Sequence, residues 1–197
     1  MLENHIYHVY NRGNNRQPIF FSRENYLFFL KKVRKHLLPC CEILAYCLMP
    51  NHFHFLIKTD ERTMAEVARS NRDIAITAFS KGLRTLLSSY TQAIQKQENI
   101  SGSLFQQKTK HKQANSEWSW EDYTLVCFRY ILQNPVSAGI VAHPADWEFS
   151  SYRDLAGLRN GNLCNKALIH SELSLDFIQL NELVGIPLKP DELDKIW

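Results

Sequence analysis

The sequence predicts an α+β chain in which antiparallel strands carry the candidate chemistry and amphipathic helices pack around them. Three observations predict it. Residues 5–12, His5-Ile6-Tyr7-His8-Val9-Tyr10-Asn11-Arg12, alternate and are rich in aromatic and β-branched types, as a strand does. Two more strand-like runs, 42–48 and 52–59, are joined only by Met49-Pro50-Asn51, which makes an antiparallel hairpin the natural pairing. Between and after them, 22–37, 75–97 and 119–134 place apolar residues at helical spacing.

The elements follow in order. Gly13-Asn14-Asn15 ends the first strand with turn chemistry. Ser22 can cap a helix, although Asn25 stands where a full capping box wants Glu or Gln. Tyr26, Leu27, Phe29, Leu30, Val33 and Leu37 then form an apolar stripe, with Lys31, Lys32, Arg34 and Lys35 outside as a solvated face, and Pro39 stops the helix. After the hairpin, Met64, Val67 and Ala68 suit a short helix. Ala75 to Gln97 suits a longer one, with Phe79, Leu83, Leu86, Tyr90 and Ile94 on one face. Ser103 to Lys112 reads as a fourth strand with Lys108, Lys110 and Lys112 on one face. Such a row either tracks a phosphate backbone or guards an exposed edge against aggregation. Ser119-Trp120-Glu121-Asp122 resembles a cap with an acidic first turn, and the helix is expected to end at Asn134, before Pro135. Gly157, Gly161 and two asparagines mark 153–163 as a linker, and short amphipathic pieces follow at 170–184 and 189–196.

The totals set bounds. A chain of 197 residues with 45% hydrophobic and 22% charged residues suits one domain with an appendage. We expect a domain at 1–155, followed by a linker and short helical extension at 156–197. Apolar runs break well before membrane-spanning length, and Met1-Leu2-Glu3-Asn4-His5 lacks the pattern of a secretory signal, so no membrane partner is expected. Five cysteines without CxxC spacing read as reduced, mostly buried thiols of a cytosolic protein. Net charge is +3, but residues from Cys164 onward hold three lysines against six acids, which leaves +6 on 1–163. A basic body with an acidic tail fits a nucleic-acid partner.

His52-Phe53-His54 is the most distinctive stretch. Alternate residues of a strand share a face, so the two imidazoles lie side by side and the phenylalanines turn away. Such a pair is half of a metal site, or two satisfied core histidines. On the helix 119–134, Tyr130 and Asn134 are four apart and therefore neighbours. Packed on the histidine strand, they would offer a nucleophilic phenol and a third ligand. A metal there would polarise a scissile phosphate while Tyr130 attacks it. Spacing equally allows a half-buried aromatic and a C-cap.

Pro50-Asn51-His52-Phe53-His54 resembles the His-hydrophobe-His signature of the HUH single-tyrosine transposases. Three further segments resemble their REP-associated branch, relatives of the insertion-sequence-200 family. These are His8-Val9-Tyr10-Asn11-Arg12-Gly13, Gly102-Ser103-Leu104-Phe105-Gln106 with its lysines, and Tyr130-Ile131-Leu132-Gln133-Asn134-Pro135-Val136-Ser137-Ala138-Gly139-Ile140-Val141. Trp147-Glu148-Phe149-Ser150-Ser151-Tyr152 is similar to the segment that closes that domain. The five segments span about residues 5–155 in the family's order.

The resemblance implies a ferredoxin-like fold, its sheet of four to five strands bearing the histidines and helices on one face. It implies Mg²⁺- or Mn²⁺-dependent cleavage and rejoining of single-stranded DNA at REP-type hairpins with a short flanking guide. The intermediate would be a 5′-phosphotyrosine and the leaving group a free 3′-OH. Position by position, His52, His54 and Asn134 are implied metal ligands and Tyr130 the nucleophile. The insertion-sequence relatives often carry the longer Gln where Asn134 stands. Tyr90 precedes the lysine-bearing segment and reads as packing, and Tyr123 is a reserve. Arg12, Arg16, Lys108 and Lys110 are candidates for phosphate or base contact. A monomer or homodimer in the bacterial cytoplasm, associated with the nucleoid, is the expected setting. The alternative is a catalytically silent hairpin binder derived from such an enzyme. A zinc hydrolase ranks last, because no acidic base or third histidine stands near that strand in the sequence.

Overall fold

The computed structural model describes residues 1–71, 73–115, 123–194 and 196. Strand β1 (Ile6–Arg12), helix α1 (Arg23–His36) and strands β2 (Glu42–Met49) and β3 (His52–Lys58) come first. Next are a short helix α2 (Glu61–Met64), a two-stranded ribbon β4–β5 (Glu66–Arg69 and Ala75–Thr77) and helix α3 (Ala78–Glu98). Strand β6 (Lys110–Gln113) and helix α4 (Tyr123–Ser137) follow. The main sheet has the order β2-β3-β1-β6, with every neighbouring pair antiparallel. Without α2 and the ribbon, the path is β-α-β-β-α-β, the ferredoxin-like motif expected.

Phe53 and Phe55 occupy one face of β3 and are buried. Phe29 of α1 lies 5.5 Å from Phe53, ring to ring, and Tyr90 of α3 meets Phe29 edge-on at 4.9 Å. This aromatic layer is the main core, and burying each such ring contributes on the order of 1.5–3 kcal/mol. α1 and α3 cross where Gly82 meets the carbonyl of His36; a Cβ on Gly82 would sit 2.2 Å from that oxygen. Alanine normally favours a helix over glycine by about 1 kcal/mol. Here the clash with backbone outweighs that gain, so Gly82→Ala is expected to lower the melting temperature, and a raised one would refute the tight crossing.

Helices cover both faces of the sheet, not one. α1 and α3 lie on the phenylalanine face, while α4 lies on the histidine face, with Tyr130 edge-on to His54 at 5.3 Å. Other expectations need correction. Glu66–Arg69 and Ala75–Thr77 pair as an antiparallel ribbon instead of continuing the helical run. Every residue of β4 is exposed, so Val67 and Ala68 have no core to face. Arg69 pairs with Glu66 of its own strand at 2.7 Å and with Asp73, before β5, at 3.0 Å. The fourth strand begins only at Lys110; before it, Phe105 makes a single bridge to Gly13, so Lys108 sits in a loop. α4 runs through Pro135 to Ser137, because a proline costs one backbone bond without forbidding the next: Ala138 N still donates to Asn134 O at 3.0 Å. Gly139, at φ +68°, then ends it in the left-handed conformation. At α1, Asn25 supplies the contact expected of Glu or Gln, its Oδ1 accepting from Ser22 N at 3.1 Å. The expected start of α4 at 119–122 lies outside the described residues.

The segment after α4 seals the outer edge of β2. Leu48 N donates to Phe149 O at 2.9 Å and Ser151 N to Tyr46 O at 2.9 Å. In 153–163, Asp154 is buried and ion-paired with Arg159, which also donates to Glu148 O at 2.8 Å and Ser150 O at 2.9 Å. The C-terminal helices α5 (Tyr152–Leu155), α6 (Lys166–Leu173), α7 (Leu180–Gly185) and α8 (Pro190–Asp194) are short. α4 ties to them through Gln133 Nε2, which donates to Val184 O at 2.7 Å, and Arg129, which pairs with Glu192 at 3.2 Å. All five cysteines are free thiols. Among the described residues no helix is long and apolar enough to cross a membrane.

Candidate active site

Strand register decides which side chains share the histidine face. Opposite His52 on β1 stands Arg12, and opposite His54 stands Tyr10; on the other side of β1, Lys110 stands opposite Tyr10. Period-two alternation therefore puts Tyr10, Arg12, His52, His54 and Lys110 on one surface. α4 lies over part of it and contributes Tyr130 and Asn134. Between them is a cavity of about 430 Å³. Its walls include His52, His54, Tyr130 and Asn134, and also Arg12, Arg16, Lys108 and Lys110, so all eight sequence-predicted site residues border it. Among the described residues, none from the acidic tail lines it. Tail acids are engaged elsewhere, Glu172 with Lys58 and Glu192 with Arg129.

The two histidines meet nearly perpendicular, with ring centroids 4.9 Å apart. His52 Nδ1 lies 2.6 Å from Asn51 Oδ1, and its Nε2 lies 3.2 Å from Asn134 Oδ1. Burial holds His52 below its ordinary value, Arg12 adds to this, and the contact with Asn134 opposes it. A neutral imidazole has one N–H, yet amide oxygens face both nitrogens. If Nδ1–H donates to Asn51, the Nε2 lone pair faces the oxygen of Asn134. A cation shared by the two would turn that opposition into ligation; otherwise the ring takes a second proton or the amide turns. The donor set thus fits a divalent ion. Among the described residues, no three His, Cys, Asp or Glu side chains converge on one point, so the site depends on the amide of Asn134.

Tyr130 is 7% exposed, and burial pushes its phenol well above the usual tyrosine range. A side-chain hydrogen bond with Asn134 works in the other direction, while the Cys127 and Cys47 thiols add to the upward push. Asn134 therefore touches both His52 and Tyr130, as their spacing on one helix face allows. Tyr90 is on the opposite side of the sheet, fully buried, with its hydroxyl donating to Ile19 O at 2.7 Å, which is a packing role. Tyr123 has its ring under Lys112 Nζ at 5.3 Å and does not border the cavity.

Sequence reasoning missed three neighbours. Asn51 holds His52, Tyr10 forms part of the wall, and His8 bonds to His54, Nε2 to Nδ1, at 2.8 Å. The signal for the last two was the alternation of β1 itself, which puts His8, Tyr10 and Arg12 on one face.

No family model matches the chain, and no curated protein matches it. A solved structure does resemble it: a REP-associated tyrosine transposase bound to a REP hairpin. The match covers 83% of this chain and 90% of that one, at 21% sequence identity and a TM-score of 0.54. The two share a fold.

The buried histidines make a prediction about stability. His8 is held down to about 3, chiefly by burial and then by the Lys112 charge. His54 is held well below 6.5 by burial, with His8 and His52 adding to it. Both stay neutral in the fold, whereas the unfolded chain protonates them as pH falls through 6.5. The unfolded state then binds more protons, so stability is present above that pH and lost below it. For the two groups together the loss between pH 7 and 5 is roughly 4 kcal/mol. Urea titrations across that range check it, and a flat profile would mean that one ring is already charged in the fold.

Proposed function

We propose that this protein cleaves and rejoins single-stranded DNA at a hairpin, through a covalent bond between Tyr130 and a 5′-phosphate. The observation that carries the reading is the meeting of Tyr130 and Asn134 with His52 and His54 in one cavity rimmed by four cationic side chains. The fold shared with a hairpin-bound REP-associated transposase supports the choice of substrate and of family.

In this reading Arg12, Arg16, Lys108 and Lys110 hold the phosphates around the cleavage point. Such contacts set the register of the strand without reading its sequence. His52, His54 and Asn134 hold a divalent cation, Mg²⁺ or Mn²⁺. When bound, the cation polarises the scissile phosphate and orients it. The Tyr130 oxygen attacks phosphorus, the P–O3′ bond breaks, and the phenolic proton is lost to solvent or a neighbouring base. The departing O3′ takes up a proton to become a free 3′-OH. Rejoining is the reverse, with a 3′-OH attacking the phosphotyrosine.

One observation favours a second reading. Burial makes the Tyr130 phenol harder to ionise, which suits a hairpin-binding protein without catalysis. One experiment separates the two. The protein is incubated with labelled single-stranded hairpin DNA in Mn²⁺ or Mg²⁺, and the products are resolved under denaturing conditions. A labelled protein band together with a shortened DNA carrying a 3′-OH supports cleavage. Tight hairpin binding with neither product supports the silent binder, and no binding sinks both.

A further inference from the structure

We propose that His8 is a positioning residue for the cation site: its Nε2 accepts the Nδ1–H of His54 and so leaves the His54 lone pair on Nε2. The inference rests on the reading that His54 ligates a cation.

The geometry comes from the sheet. His8 stands opposite Leu56 in the β1–β3 register, which makes it the diagonal neighbour of His54 on the same face. The rings stack 5.0 Å apart, 23° from parallel, with Nε2 of His8 2.8 Å from Nδ1 of His54. A hydrogen bond between two imidazole nitrogens holds one proton, so one ring donates and the other accepts. The direction of that bond sets which nitrogen of His54 is bare. Only when His54 donates from Nδ1 is its Nε2 able to bind a metal.

His52 has a matching arrangement, with its Nδ1 2.6 Å from the oxygen of Asn51. Each histidine of the pair therefore has a partner at Nδ1. Metal-binding histidines depend on such partners, which fix both tautomer and ring orientation. Packing alone does not account for His8. It is fully buried and stacked on Tyr10 at 4.7 Å, a place a phenyl ring would fill, and its Nδ1 has no hydrogen-bond partner among the described residues. An imidazole with one unsatisfied buried nitrogen is costly relative to phenyl, and its hydrogen bond to His54 is what offsets the cost.

The test compares wild type, His8→Phe and His8→Gln by titration with Mn²⁺ alone, following the paramagnetic resonance of the free ion, with a thermal melt of each. His8→Phe is expected to bind Mn²⁺ about 10–100-fold more weakly. His8→Gln should recover most of the affinity, because an amide oxygen can accept the same N–H. Zn²⁺-loaded wild type with ¹⁵N-labelled histidine gives an independent readout that does not require a variant to fold. There the proton should sit on His54 Nδ1 and couple to His8 Nε2. Unchanged Mn²⁺ affinity in a folded His8→Phe protein overturns the proposal, as does a proton on His54 Nε2. If wild type itself does not bind Mn²⁺, the cation reading fails and this inference fails with it.

Discussion

Replacing Tyr130 by Phe should abolish the covalent DNA adduct while hairpin binding stays within a few-fold of wild type. The substitution deletes one oxygen. The ring remains and keeps its edge-on contact with His54 at 5.3 Å, so the cavity wall is preserved. The hydroxyl also hydrogen-bonds with Asn134, and losing a single such bond costs on the order of 1 kcal/mol, too little to unfold the chain. DNA affinity comes mainly from cations against phosphates, and the four around the cavity are untouched. Chemistry has no comparable reserve. With the nucleophile gone, the rate of adduct formation should fall by on the order of 10⁴-fold or more, the scale seen when a covalent nucleophile is deleted. Denaturing gels with end-labelled hairpin DNA and Mn²⁺ make the measurement. An adduct that persists in Tyr130→Phe would move the reaction to another side chain, and Tyr123 would be the first to examine.

Removing His52 should abolish Mn²⁺-dependent cleavage, and chelating the ion from wild type should reproduce the loss. His52 is the better probe of the pair, because its environment distinguishes the two rings. His52 is only partly buried and its partners are the side chains of Asn51 and Asn134. His54 is 1% exposed and bonded to His8. His52→Ala should therefore fold like wild type yet lose about 10²–10³-fold in rate, the size expected when one preorganised electrostatic contact to the reacting group is lost. His54→Ala should lose activity and also about 1–3 kcal/mol of stability, since it leaves His8 buried with neither nitrogen satisfied. Melts and single-turnover rates on both variants separate the effects. Cleavage by wild type that a chelator leaves unchanged would show that no cation takes part.

Much of the fold was legible because its signals are local. Alternation in β1, the short Pro50-Asn51 connection and the stripe Phe79-Leu86-Tyr90-Ile94 each report a periodicity of the backbone itself, and each element is there. The misreadings share a cause. Val67 and Ala68 fit a helix by spacing, but spacing pays no regard to whether a core is available, and none was. Ser103 to Lys112 alternates like a strand, but pairing requires a neighbour, and β1 offers its edge only to Lys110–Gln113 beyond the single bridge at Phe105. Pro135 looked like a stop, yet the helix continues because only one backbone bond is lost.

The candidate site divides in the same way. That His52 and His54 share a face, and that Tyr130 and Asn134 are neighbours, was determined by the sequence alone, since strand and helix periods fix which side chains align within one element. Three things were decided only by the tertiary structure. The first is the distance of 3.2 Å between His52 Nε2 and Asn134 Oδ1, which lie 82 positions apart in the chain. The second is that α4 covers the histidine face while α1 and α3 cover the phenylalanines. The third is the bond from His54 to His8, which depends on the register of β1 against β3. Register and layer order come from the packing of the whole core, where every side chain competes for the same volume. No short window of residues contains that competition.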